Sequence, residues 1–224
     1  MGKQYFSKAY NEFFTELALN NEKKWFDEHK AVYLKEIKAP FEAFVRDLVK
    51  EVQKFEPDFE ISPKDAIFRI YRDLRFSKDK TPYKTHMSAA VTRDKSAWGV
   101  PGYFVGIGAQ GIALGGGLHE LDKEALAKIR KALIDDPKTL QKRLSDPAFE
   151  SAYGGLRGEQ SKNLPAEFKP HVDSIPLLAN KQFYFWKEIP DFDLIISDHL
   201  LEDVVGYFKI AKPINHWLRK AVDK

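Results

Sequence analysis

Seven of the 13 glycines in this 224-residue chain fall between positions 100 and 118, its least polar stretch. Glycine loses more backbone freedom on folding than any other residue, so such a stretch favours strands and tight turns over a helix. It is also too interrupted to read as a membrane span. Residues 102–108 and 112–118 predict two strands around the turn Ala109-Gln110-Gly111. Residues 85–92 predict a strand before them and 182–189 a strand after them. Residues 66–71 read as one more. Together these give a β-meander, which implies an antiparallel sheet.

Both flanks are helical in pattern. Ser7 is placed to cap a helix carrying Tyr10, Phe13, Phe14 and Leu17, which Asn20-Asn21 ends. Trp25, Phe26, His29 and Tyr33 recur at helical spacing, so Trp25 and Phe26 are expected in the core. Pro40 either kinks that helix or starts the next, whose apolar stripe includes Phe41, Phe44, Leu48 and Val52. After the meander, Asp122 caps a helix with Leu126, Ile129, Arg130 and Leu133 on one side. Residues 153–176, rich in Gly and Pro, predict a long ordered loop. Ser197 or Asp198 is expected to cap a last helical region, with Lys212-Pro213 starting a further turn. The fold class is therefore α+β: an antiparallel meander flanked by N-terminal and C-terminal helices. No linker composition and no internal repeat divides residues 1–224, so one domain is expected.

The chain has no cysteine, which excludes thiol nucleophiles, disulfides and thiolate metal sites. Residues 1–21 are amphipathic and include acidic residues, unlike a signal peptide, and the expected location is cytoplasmic. No membrane association is expected. The six histidines form no His-x-His or His-x-x-x-His pair, so no short-range metal motif is present and no metal ligand is assigned.

Charge is concentrated in one place. Residues 69–84 hold six basic and two acidic side chains, a net +4 against +3 for the whole chain. Tyr71, Phe76 and Tyr83 are interleaved with them. Guanidinium groups suit carboxylate or phosphate, and aromatic rings suit a planar group.

The run FRIYRDLRFSKDKTPYK at 68–84 resembles the signature of a family of conserved hypothetical proteins of bacteria and fungi, a domain of unknown function. The resemblance covers nearly the whole chain. Asn20-Asn21 with Trp25-Phe26 is similar to that family's N-terminal element, and Gly102-Tyr103 with Gly115-Gly116-Gly117 to its glycine-bearing hairpin. Leu126 with Ile129-Arg130 is similar to the helix that follows, and Leu164-Pro165 with Lys181 to a later motif. There Asn163 and Ala166-Glu167 stand in place of the family's basic residue and glycine. The resemblance implies no reaction, substrate or cofactor.

Three roles fit the basic segment. In the first, Arg69, Arg72, Arg75, Lys80 and Lys84 supply charge to a phosphorylated or carboxylated small molecule, with Tyr71 and Tyr83 shaping the wall. In the second it binds nucleic acid, against which the small net charge speaks. In the third, Arg72 or Arg75 with Asp73, and Lys78 or Lys80 with Asp79, pin the loop, and function lies in protein association. The first is the leading expectation.

His86, directly after the segment, is the candidate general acid or base, with His119 as its partner if the strands bring the two together. The alternative is isolated, hydrogen-bonded histidines. Ser77 lacks the surroundings of an activated serine. Gly115-Gly116-Gly117 lacks the P-loop ending and reads as a closely packed strand, or as a phosphate approach beside the Asp122 helix start. Nothing here specifies a cofactor, an oligomeric state or whether the protein is an enzyme.

Overall fold

The computed structural model describes residues 2–75, 78–93, 95 and 99–223. Four antiparallel strands, β1 (His86–Val91), β2 (Gly102–Gly108), β3 (Gly111–Leu118) and β4 (Phe183–Ile189), lie side by side in chain order. Helices precede and follow this sheet, giving the expected α+β architecture. Gly108 pairs with Gly111 across the β2–β3 turn, and Gly111 has φ +94°, where a side chain would be strained.

Successive strand residues point to opposite faces. One face carries large apolar side chains, among them Met87, Tyr103, Val105, Leu114, Phe183 and Phe185, all buried. The long helices pack on it. Lys8–Leu19 lies on β2, where the Tyr10 hydroxyl donates to the Ile107 carbonyl at 3.2 Å. Ala39–Gln53 lies on β1, and Leu200–Val222 spans β2 and β3. Pro147–Tyr153 covers β4, setting Phe149 and Tyr153 against Phe185 with ring centroids 5.8 and 4.7 Å away. Phe26 is buried as expected, whereas Trp25 is half-buried and stacks on His29 at 4.0 Å.

One polar cluster sits inside this core. Arg219 from Leu200–Val222 donates to Glu56 at 2.6 Å, and the Tyr103 hydroxyl donates to the other Glu56 oxygen at 2.6 Å. The two charged side chains are only 7% and 4% exposed. Asn215 from the same helix donates to the Gly102 carbonyl at 2.8 Å. The cluster therefore joins the segment after Ala39–Gln53, strand β2 and the C-terminal helix.

Three local expectations are corrected. Residues 66–71 do not form a strand of the sheet. The short helix Pro63–Ala66 takes up the start of that stretch, and the chain then meets β1 only at the bridge Ile67–Ala89 before pairing Tyr71 with Tyr83. The C-terminal helix begins at Leu200 with His199 at the cap position, one or two residues later than Ser197 or Asp198. It also runs unbroken through Pro213 to Val222. Phe208, Ala211, Ile214 and Leu218 are buried on both sides of the proline, and this packing outweighs the lost N–H. At Pro40 the second alternative holds: a π-helix, Tyr33–Lys38, runs into Ala39–Gln53, with the proline in the first turn.

Replacing Arg219 leaves the Glu56 carboxylate buried without its counter-charge. Arg219→Met is expected to lower the unfolding free energy in urea by about 3–5 kcal/mol. Tyr103→Phe, which removes one hydrogen bond to a charged group, should cost about 1.5–3 kcal/mol.

Candidate functional site

The face of the sheet opposite the long helices has a different composition. Its cross-strand rows follow from the register. Ser88, Gly106, Ala113 and Glu188 form one, Ala90, Phe104, Gly115 and Trp186 the next, and Gly102, Gly117 and Tyr184 a third, with Thr92 beside Gly102. Small residues floor this face, and its large side chains are the half-buried rings of Phe104, Trp186 and Tyr184. Phe104 and Trp186 stack across Gly115 with centroids 5.1 Å apart and planes 30° apart. A Cβ at Gly115 would lie 2.5 Å from the indole Cε3, so glycine is what lets Trp186 lie over the strand.

A groove of about 410 Å³ opens on one side of these rings, floored by Gly102 and Gly117. That volume lies within the range of roughly 300–1,000 Å³ typical of small-molecule sites. Tyr184, His119 and Arg157 line it at the β4 side, and Phe68 at the β1 side. Arg157 is held by its backbone, which exchanges two hydrogen bonds with Tyr184 (2.6 and 3.2 Å), while its Nη2 donates to the Trp186 carbonyl at 3.1 Å. A smaller hollow of about 130 Å³ on the other side of the rings is lined by His86, Gly106 and Gln110 among others.

The basic segment divides into two parts. Its outer part is locally satisfied: Arg72 pairs with Asp79 and donates to Thr81, Arg75 grips both oxygens of Asp73, and Lys80 donates to the Leu74 carbonyl at 3.0 Å. The Arg75 guanidinium holds the Asp73 carboxyl well below the usual carboxylate range. Asp79 is lowered to about 2, first by the Thr81 backbone N–H and then by Arg72. These groups are largely exposed, so solvent screens the pairs.

The inner part lies beside Phe68, a wall of the groove, without lining the groove itself. Lys84 Nζ lies 5.3 Å from the centre of the Phe68 ring. Burial, and then the nearby Arg69, push the Lys84 pKa below the ordinary lysine value. Arg69 is exposed and makes no hydrogen bond or ion pair among the described residues.

The two tyrosines part company. Tyr71 is 51% exposed, whereas Tyr83 is buried and stacks on Phe26 at 4.0 Å, inside the core. Asn21 fixes the Tyr83 backbone from both sides, donating to its carbonyl at 2.9 Å and accepting from its N–H at 3.1 Å. Phe76 and Ser77 lie outside the described residues.

His86 and His119 are not brought together. His86 shares a row with Gly108 and Gly111, while His119 follows Leu118 at the far end of β3, more than about 20 Å along the strand. Burial, and secondarily Lys84, lower the His86 pKa to about 4, so the imidazole is neutral at pH 7. The triple glycine is interior to β3: a Cβ at Gly116 would meet the Gly102 carbonyl oxygen at 2.2 Å, and Gly117 has φ +87°. The reading of a closely packed strand therefore describes it. Among the described residues no group of three or more His, Asp or Glu side chains could hold a metal ion, and no helix is long and apolar enough to cross a membrane.

Arg157, Phe104 and Trp186 were not singled out by sequence. Alternation in FYFWKE, with Tyr184, Trp186 and Glu188 on one face, carried a signal for the last of these. Arg157 stands alone in a Gly-rich loop and carried none.

The fold is thus that of an α+β protein whose four-stranded meander is helix-covered on one face and grooved on the other. The chain belongs to the family described as conserved hypothetical protein (DUF2461), which matches it over residues 9–217. Neither a curated protein nor a solved structure matches it.

A pH dependence follows from His86. The unfolded chain takes up a proton near pH 6.5 that the folded chain refuses until about pH 4. Stability is therefore full above pH 6.5 and is lost as pH falls through that window. Between pH 7 and pH 4 the native chain should lose about 3 kcal/mol more than His86→Gln, read from urea midpoints.

Proposed function

We propose that the protein binds an anionic small molecule, phosphorylated or carboxylated, in the groove on the uncovered face of its sheet. The observation that carries this reading is a pocket with glycine floor and aromatic walls whose lining includes one cation, Arg157, with further positive charge beyond its Phe68 wall. Arg157 stands at the β4 side, and Lys84 with Arg69 stands behind Phe68 at the β1 side. A partly desolvated lysine and a backbone-anchored arginine suit an anion that enters from solvent, since the attraction is strongest where water is excluded.

In this reading Arg72, Arg75 and Lys80 hold the shape of the loop and do not touch the ligand. Their ion pairs with Asp79 and Asp73, and the Leu74 contact, favour the clasp role for that half of the segment alone. Nucleic acid remains the weaker reading, because Arg72, Arg75 and Lys80 are engaged by neighbouring groups and Arg157 lines a pocket. His86 is the group to test for chemistry, as a neutral imidazole in the adjoining hollow.

A thermal-shift panel of sugar phosphates, nucleotides and organic acids tests the proposal. At least one anion should raise the melting temperature, and Arg157→Ala and Lys84→Ala should each weaken binding by about ten- to a hundredfold. Arg75→Ala should change it less than about twofold. Stabilisation by no anion, with Arg69→Ala indistinguishable from the native chain, would overturn it.

A further inference from the structure

We infer that the anion carries a flat nitrogenous ring, as a nucleotide does, and that this ring stacks against Phe104 and Trp186. The inference rests on the proposal above and names the ligand class for the same groove.

The walls are the first reason. Phe104 and Trp186 are both half-buried, stack with planes 30° apart and line the groove, so part of their π surface is left open to it. Gly115 makes that possible, because any larger residue would lift the indole off the sheet. A ligand that was only a charged group would gain nothing from such a wall. An added flat ring gains stacking energy from it.

The floor is the second. In the adjoining row Gly102 pairs with Gly117, so two neighbouring strands present bare peptide between Thr92 and Tyr184. Three strand spacings separate the Thr92 and Tyr184 backbones, about 14 Å, which leaves room between their side chains for a single or fused heterocycle.

The charges are the third. Glu188 accepts from Trp186 Nε1 at 3.1 Å through one oxygen, and its second oxygen has no partner among the described residues. A carboxylate lining the groove of an otherwise cationic site repels a simple anion. It accepts well from a ring amine, as acidic side chains do from cytosine or similar bases. A molecule with an N–H-bearing ring near Glu188 and a phosphate near Arg157 satisfies both of these groups together.

The test uses the full chain and isothermal titration with AMP, GMP, CMP, UMP, ribose 5-phosphate and citrate. At least one nucleotide should bind about ten- to a hundredfold more tightly than ribose 5-phosphate. Trp186→Leu should weaken the nucleotide much more than ribose 5-phosphate, whereas Arg157→Ala should weaken both alike. Saturation-transfer NMR on the native chain needs no variant and should show the base protons closer to protein than the ribose protons.

A single-stranded oligonucleotide separates two sources of the same chemistry. Binding far tighter than any mononucleotide assigns the base and phosphate to a strand, and equal binding assigns them to a free nucleotide. If ribose 5-phosphate or citrate binds as tightly as the best nucleotide, the ring inference is wrong while anion binding stands. If no anion binds at all, both fall.

Discussion

Burial of one face of a four-stranded meander, and one face only, is the constraint from which the rest of the structure follows. The core side is crowded with aromatic side chains, Tyr10, Phe14, Phe41, Phe44 and Phe208 among them, each essentially inaccessible to solvent. These come from helices at both ends of the chain, so the ends cannot pack without the middle. At the centre of that packing the Glu56–Arg219–Tyr103 cluster imposes geometry that apolar contact lacks. Rings and methyl groups tolerate sliding, whereas a buried carboxylate held by two donors does not. The helices being committed to one side, the other side of the sheet is available to small residues, stacked rings and an open groove.

The signature segment has two different jobs along its length. Near the sheet it is part of the wall: Phe68 lines the groove and Lys84 lies over the Phe68 ring. Farther out it folds back on itself, with Arg72 and Arg75 spent on Asp79 and Asp73. Asn21, just after the helix Lys8–Leu19, secures the returning chain at Tyr83. Two pieces of sequence that resemble one family's pattern, Asn20-Asn21 and the basic run, are thus in direct contact although 62 residues separate Asn21 from Tyr83.

The architecture was readable from the sequence because its signals are local. Glycine density marked the hairpin, apolar spacing marked the helices, and Asp122 marked a cap whose side chain does accept from the Ala125 N–H. Where nonlocal packing decides, the reading failed. Pro213 looked like a break, but the buried residues around it keep the helix whole. Tyr83 looked like a wall residue because its sequence neighbours are polar, yet its ring belongs to the core. The groove was half legible. Charge density drew attention to a segment of which Phe68 forms a wall, whereas Phe104 and Trp186 stand out only once it is known which side of each strand the helices leave uncovered. That is a property of the assembled chain, and no window of residues contains it.

Both outer strands of the meander are partly shielded along their edges. At β1 the Phe68 N–H takes the Ser88 carbonyl, and at β4 Arg157 occupies both polar groups of Tyr184. A bare strand edge invites another chain to add itself as a further strand, the usual route to unwanted association. Here those positions are already occupied by the same two segments that flank the groove. Loosening either one would therefore do two things at once: dismantle a rim of the pocket and unmask a template for self-assembly, tying solubility to the integrity of the pocket.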